Sequence, residues 1–147
     1  MKTRKTDVKY VEWFGADVMH SATRNWLSEL LFAKDEQLFF DDLIKTYTLK
    51  LIEEKHFKRC KNIIERLVGL QKETDKLISS LKSHEKNLKI MVDNVDEFEK
   101  EDKYKSDHRA FNDLISDYFE NYKAVKKQLF RLIKGIKKEN KQKLLLE

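Results

Sequence analysis

Six residues, Cys60, Leu67, Thr74, Leu81, Leu88 and Val95, stand seven apart along the chain, and no proline interrupts them or any other part of the 147 residues. A seven-residue repeat returns to one side of an α-helix every two turns, whereas a half-buried strand alternates at every second residue. Ile63 or Ile64, Leu70 or Gln71, Leu77 or Ile78, His84 or Glu85, and Met91 or Val92 fill the intervals, so the stripe is continuous. The spacing therefore predicts one long, core-facing helix through the middle of the chain. Gly69 lies off the stripe on its outer face, where it costs about 1 kcal/mol relative to Ala without ending the helix.

Upstream, Trp26, Leu30, Ala33, Gln37, Phe40, Ile44, Tyr47 and Leu51 recur at steps of three and four, with Leu27, Leu31 and Leu38 widening the stripe. This first helix is expected to start near Val18 after a cap at Asp17. Its end is expected within residues 48–54, because Thr46, Tyr47 and Thr48 weaken helix propensity while Glu53 and Glu54 suit the N-terminal end of a new helix. Residues 93–102 hold six acidic side chains against Lys100 and break the repeat. They are expected to form a loop, although they lack the glycine and alternating oxygen ligands of a calcium site. Ser106 or Asp107 is then expected to cap a third helix with the seam His108, Phe111, Ile115, Tyr118, Tyr122, Val125, Leu129, Leu132 and Ile136. The last ten residues, 138–147, are expected to fray.

Two short connections between three long amphipathic helices imply an all-α, antiparallel up-down-up bundle over residues 17–147, with coiled-coil-like packing. A split first helix would make it a four-helix bundle instead. Residues 1–16, with Lys2, Arg4, Lys5 and Lys9, form a basic N-terminal arm ending in the apolar cluster Tyr10, Val11, Trp13 and Phe14, which is expected to pack on a bundle end.

A single cysteine excludes an intramolecular disulfide and any multi-cysteine metal site, so the chain needs no oxidising compartment. No signal-peptide core and no run of about 20 apolar residues is present. The expected location is cytoplasmic, with no membrane span. The net charge of +5, from 31 basic and 26 acidic residues, is modest for this length.

Three functional readings compete. The favoured one is protein–protein association through helix faces, with a partner protein or as a homodimer, because a slender bundle has little core and leaves Phe32, Phe39, Leu43 and Phe119 for contact. The second is a divalent transition metal held by His20, His84 and His108, which the expected folding-back brings to one bundle end; otherwise no cofactor is expected. Against it, the same folding-back sets His108 level with residue 91, about ten ångströms from His84 along the axis at the helical rise, whereas ligand atoms sit near 2.1 Å from a metal. His56 falls at the other end, where Glu53 and His56 supply only half of a di-iron pattern. The third is a nucleic acid or other anionic surface on the basic face Lys123, Lys127, Arg131, Lys134, Lys138 and Lys141. That face points away from the seam, where charge is usually solvated, so nucleic acid is not the expected partner. Catalysis has no foothold: there is no phosphate-binding glycine loop, and Cys60 sits in the seam as a small apolar residue.

The segment MHSATRNWLSELLFAKDEQLFFDDLIKTYTLKL, residues 19–51, resembles an uncharacterised family of small all-helical proteins from marine Bacteroidetes-type bacteria. That resemblance implies a bacterial cytosolic protein and assigns no functional residue.

Overall fold

The weak helix formers around Tyr47 mark where the first long helix stops. In the computed structural model, which describes residues 15–93 and 98–146 (backbone alone for 98–100), α1 runs over Ala16–Thr46 and α2 is a single turn, Thr48–Leu51. Two longer helices follow, α3 over Glu54–Asp93 and α4 over Phe98–Leu146. No strand occurs among the described residues. The protein is an all-α, antiparallel up-down-up bundle of three long helices, and its fourth helix is only the four-residue turn between the first two. The basic arm, apart from Gly15 and Ala16, and Val95 lie outside the described residues.

The helix ends correct several expectations. α1 begins at Ala16, with the amides of Val18 and Met19 donating to the Gly15 carbonyl, so Asp17 lies in the first turn and does not cap it. A carboxylate there still favours the positive end of the helix. Of the expected loop 93–102, Asp93 closes α3 and Phe98–Asp102 already belong to α4, while 94–97 lie outside the described residues. Acidity alone does not break a helix, since Glu is a good helix former and early acidic residues suit the dipole. Glu101 also pairs with Lys105 one turn on, at 3.2 Å. Ser106 and Asp107 are therefore interior to α4, and the helix continues to Leu146.

The chain forms two compact units, and each takes part of every long helix. Unit 1 comprises Met1–Ala33 and Thr74–Asp117, and unit 2 comprises Lys34–Glu73 and Tyr118–Glu147. The core of unit 1 is built from Met19, Leu27 and Leu30 of α1, Leu77, Ile78, Leu81, Leu88 and Met91 of α3, and Tyr104 and Ile115 of α4. Burying one such side chain contributes roughly 1.5–3 kcal/mol, so the seam is the main source of stability. Thr23 and Thr74 are fully buried in the same unit, and the Thr23 hydroxyl donates to the Met19 carbonyl at 2.8 Å. That bond satisfies a polar group that water cannot reach.

Unit 2 packs Phe40 and Leu51 against Cys60, Ile63, Leu67 and Leu70 of α3 and Tyr122, Val125, Leu129, Leu132 and Ile136 of α4. Its polar contacts fix the helix directions. On α3 and α4, Arg66 meets Gln128 and His56 meets Glu139, a reversed order that marks antiparallel neighbours. On α1 and α4, Glu36 meets Tyr122 and Phe40 meets Phe130, which marks parallel ones. Of the residues expected to widen the α1 stripe, Leu27 is buried but Leu31 and Leu38 are exposed, so the buried face of α1 is narrower than its sequence pattern.

Candidate functional site

In unit 1 the seam position that should hold a leucine brings two histidines together. His84 of α3 and His108 of α4 are only 3% and 2% exposed, and the Nε2 of His84 lies 3.1 Å from the Nδ1 of His108. The rings stack at a centroid distance of 5.3 Å; Trp26 of α1 stacks on His108 at 4.7 Å, and Phe111 covers His84 at 4.9 Å. Imidazoles walled in by aromatic rings cannot solvate a charge. Burial pushes His108 down to about 4, with the neighbouring His84 adding to the effect. Burial likewise lowers His84, opposed by the charge of Asp107. Both rings are therefore neutral near pH 7, one donating its N–H to the other's lone pair.

That contact overturns the ten-ångström offset expected between the two rings. The expectation placed the turn at 93–102, but α4 starts at Phe98, which slides α4 along α3 by about two turns and sets His108 level with His84. His20, the third candidate ligand, faces Glu85 instead: its Nε2 lies 3.5 Å from Glu85 Oε1, ion-pair distance but long for a hydrogen bond. A shared ion would need the lone pairs of both contact nitrogens turned to a third point, in place of the hydrogen bond that their 3.1 Å separation allows. Among the described residues, no group of three or more His, Cys, Asp or Glu side chains is arranged to hold a metal ion. An open cleft of about 440 Å³ beside the pair is lined by His84, Asp107, Ser80, Ser83 and Phe111 among others.

Unit 2 carries a buried polar link of a different kind. Glu36 accepts from the Tyr122 hydroxyl at 2.5 Å and from Lys126 Nζ at 2.7 Å. Burial pushes the Glu36 carboxyl up, but the bonds from Lys126 and Tyr122 outweigh it and hold the group below its usual range. Burial and that carboxylate in turn raise the Tyr122 hydroxyl. Alongside, Gln37 donates to the Tyr118 hydroxyl at 3.1 Å, which explains a glutamine in the α1 seam. His56 and Lys55 both reach Glu139, at 3.2 and 3.1 Å, so His56 is held by a carboxylate of α4 and Glu139 titrates lower than usual chiefly because of the His56 bond. Cys60 is buried, and burial raises its thiol, the reverse of what a nucleophile needs.

The basic face lies where the seam places it. Lys123, Lys127, Arg131, Lys134, Lys138 and Lys141 are all exposed on α4. The sequence reading missed what faces part of that row. Lys58 and Arg59 of α3 line the same cleft as Arg131, about 390 Å³ in volume, together with Asn62, Ile63 and Gln128. The pairing of α3 with α4 was the signal that would have found them, since the Arg66–Gln128 and His56–Glu139 contacts put residue 59 across from the region of 131.

Large apolar side chains are also exposed. Unit 1 presents Leu31 and Phe32 on α1, and unit 2 presents Leu38 and Phe39 on α1 with Leu49, Ile52 and Phe57 around the α2 turn. Leu43 and Phe119 are half-buried, the latter edge-on to Tyr118. No helix among the described residues is long and apolar enough to cross a membrane. No protein family matches the chain, and neither a curated protein nor a solved structure does.

Proposed function

We propose that the protein is an association module that pairs with a second copy of itself through helix faces. The observation that carries this reading is the exposure of Leu38 and Phe39, 61% and 55%, side by side on the outer face of α1 in unit 2. The Phe39 ring lies 6.2 Å from buried Phe40, so the apolar surface runs outward from the core. Leaving two such side chains in water forgoes the roughly 1.5–3 kcal/mol each could contribute when covered. Around them Lys34, Asp35, Asp42 and Lys45 are exposed and supply both charge signs. An apolar centre with a mixed polar rim is the anatomy of a protein interface, and rim charges set orientation more than affinity. Self-pairing needs one patch only, because a two-fold dimer uses the same surface on both copies.

Sedimentation velocity over a concentration series tests the reading. The wild type is expected to pass from monomer to dimer by a concentration on the order of 100 μM. The double substitution Leu38→Ser with Phe39→Ser is expected to stay monomeric with unchanged helical circular dichroism. A wild type that is monomeric throughout, or a variant that dimerises equally well, overturns it.

A further inference from the structure

The expectation of a merely solvated basic face rested on α4 alone, and the structure adds a second wall. Lys58 and Arg59 of α3 share a cleft with Arg131 of α4, and none of its lining residues is acidic. Two nearby cations of these helices are paired, Lys55 with Glu139 and Lys126 with Glu36. Among the described residues, Lys58, Arg59 and Arg131 have no carboxylate partner. Charge is also concentrated in this unit: residues 34–73 and 118–147 hold 18 Lys and Arg against 11 Asp and Glu, a net +7 where the whole chain carries +5. Three unpaired cations around one recess repel one another and are relieved by an anion.

We propose that this cleft seats the phosphodiester backbone of a single nucleic-acid strand. The two guanidiniums present planar forks that match phosphate oxygens, and Lys58 adds a point charge. Arg66 Nη1 donates to the Gln128 Oε1 at 2.6 Å, which leaves the Gln128 amide N–H groups as donors in the lining. Lys127, Lys134 and Lys138 lie in steps of four, three and four with Arg131, so the exposed row extends from the cleft along α4. A row of cations leading into a recess fits a chain of phosphates better than a single one. A recess between two helices also takes a strand where a flat bilayer cannot enter. No aromatic ring lines the cleft, so there is nothing to stack a base, and binding is blind to sequence.

The probe is a labelled mixed-sequence single-stranded DNA of about 20 nucleotides, read by fluorescence anisotropy from about 50 to about 200 mM salt. Neutralising three phosphates on a single strand gives a salt slope near −2, steeper if the flanking lysines contribute. The triple substitution Lys58→Gln, Arg59→Gln, Arg131→Gln is expected to weaken binding at least tenfold and flatten the slope by about 2. A matched control removes three charges from an exposed row of unit 1, Lys82→Gln, Lys86→Gln, Lys89→Gln, and is expected to change affinity less than threefold. Both variants are checked for unchanged helical circular dichroism. No binding at low salt, or equal losses in the two variants, overturns the proposal. So does cleft-dependent binding to phosphatidylserine vesicles without binding to DNA, or full competition by millimolar inorganic phosphate, since either assigns the cleft to another anion.

Discussion

His84 Nε2 and His108 Nδ1 lie 3.1 Å apart in the interior of unit 1, and this one hydrogen bond joins α3 to α4 where the seam would otherwise hold a leucine. The pair works only while at least one contact nitrogen keeps its lone pair. When both rings are protonated, two N–H groups of like charge face each other in surroundings that cannot solvate them. On the other sides of the pair, α1 contributes Trp26, which has no titrating group, and α4 contributes Asp107, whose charge favours the protonated form of His84.

Stability should therefore fall as the solution is acidified. Both histidines titrate lower in the folded chain than the ordinary 6.5, so the unfolded chain binds more protons below that value. The contribution is intact above pH 6.5 and lost progressively as pH falls toward about 4, where His108 itself titrates. The His108 shift alone corresponds to about 3 kcal/mol when fully expressed. Glu36, held below 4.5 by Lys126 and Tyr122 despite its burial, adds a further loss below that pH. Urea unfolding between pH 8 and 4 gives the curve, and nuclear magnetic resonance of the ring protons should show His108 neutral at pH 6. A His108 that titrates at 6.5 or above contradicts the geometry.

Truncating one ring should cost more than losing a hydrogen bond. His84→Ala leaves a cavity in the seam and strips the Nδ1 of His108 of its partner, for an expected loss of about 2–4 kcal/mol. His108→Ala should cost a similar amount. The double variant should cost less than the sum by about 0.5–1.5 kcal/mol, because the second truncation removes a group already orphaned. Strict additivity in denaturant unfolding would show that the rings do not interact.

How much of this was legible in the sequence follows from what periodicity encodes. The burial of Leu30, Phe40, Leu67, Leu81, Leu88, Ile115, Leu129 and Ile136 and the outward turn of Lys127 or Arg131 depend only on 3.6-residue geometry, and they lie as the spacing predicts. Contacts between helices depend on register, and register depends on where the chain turns. Reading the acidic run 93–102 as a loop, when helix resumes at Phe98, displaced His108 by about two turns and hid its contact with His84. The same slip concealed that Lys58 and Arg59 share a cleft with Arg131. Leu31 and Leu38 were misjudged because an amphipathic pattern gives the apolar arc of a helix but not how much of it neighbours cover.

Replacing Gly69 or Gly135 should strengthen the fold. A methyl group at either position meets nothing within 4 Å, and neither glycine has a positive φ. Each lies inside a long helix, so Gly69→Ala and Gly135→Ala should each stabilise by about 0.5–1 kcal/mol. Thermal unfolding of the two variants measures this, and a lowered midpoint would mean that a neighbour occupies the space.

Cys60 should react slowly. It is buried in the seam of unit 2 and its thiol is raised by that burial, so alkylation needs the unit to open. Ellman's reagent should consume less than one thiol per chain in native buffer over minutes and a full equivalent in urea. Immediate native labelling contradicts the packing around α3.

Disulfide trapping tests the central claim, self-association through the outer face of α1, most directly. Asp42→Cys on the rim of the patch and, as a control, Lys123→Cys are placed singly in a Cys60→Ala background and oxidised with copper phenanthroline at about 100 μM protein. Covalent dimers forming rapidly at position 42 and slowly at 123 are the expected result. Equal rates at the two positions, or no dimer at 42, contradict self-pairing through this face.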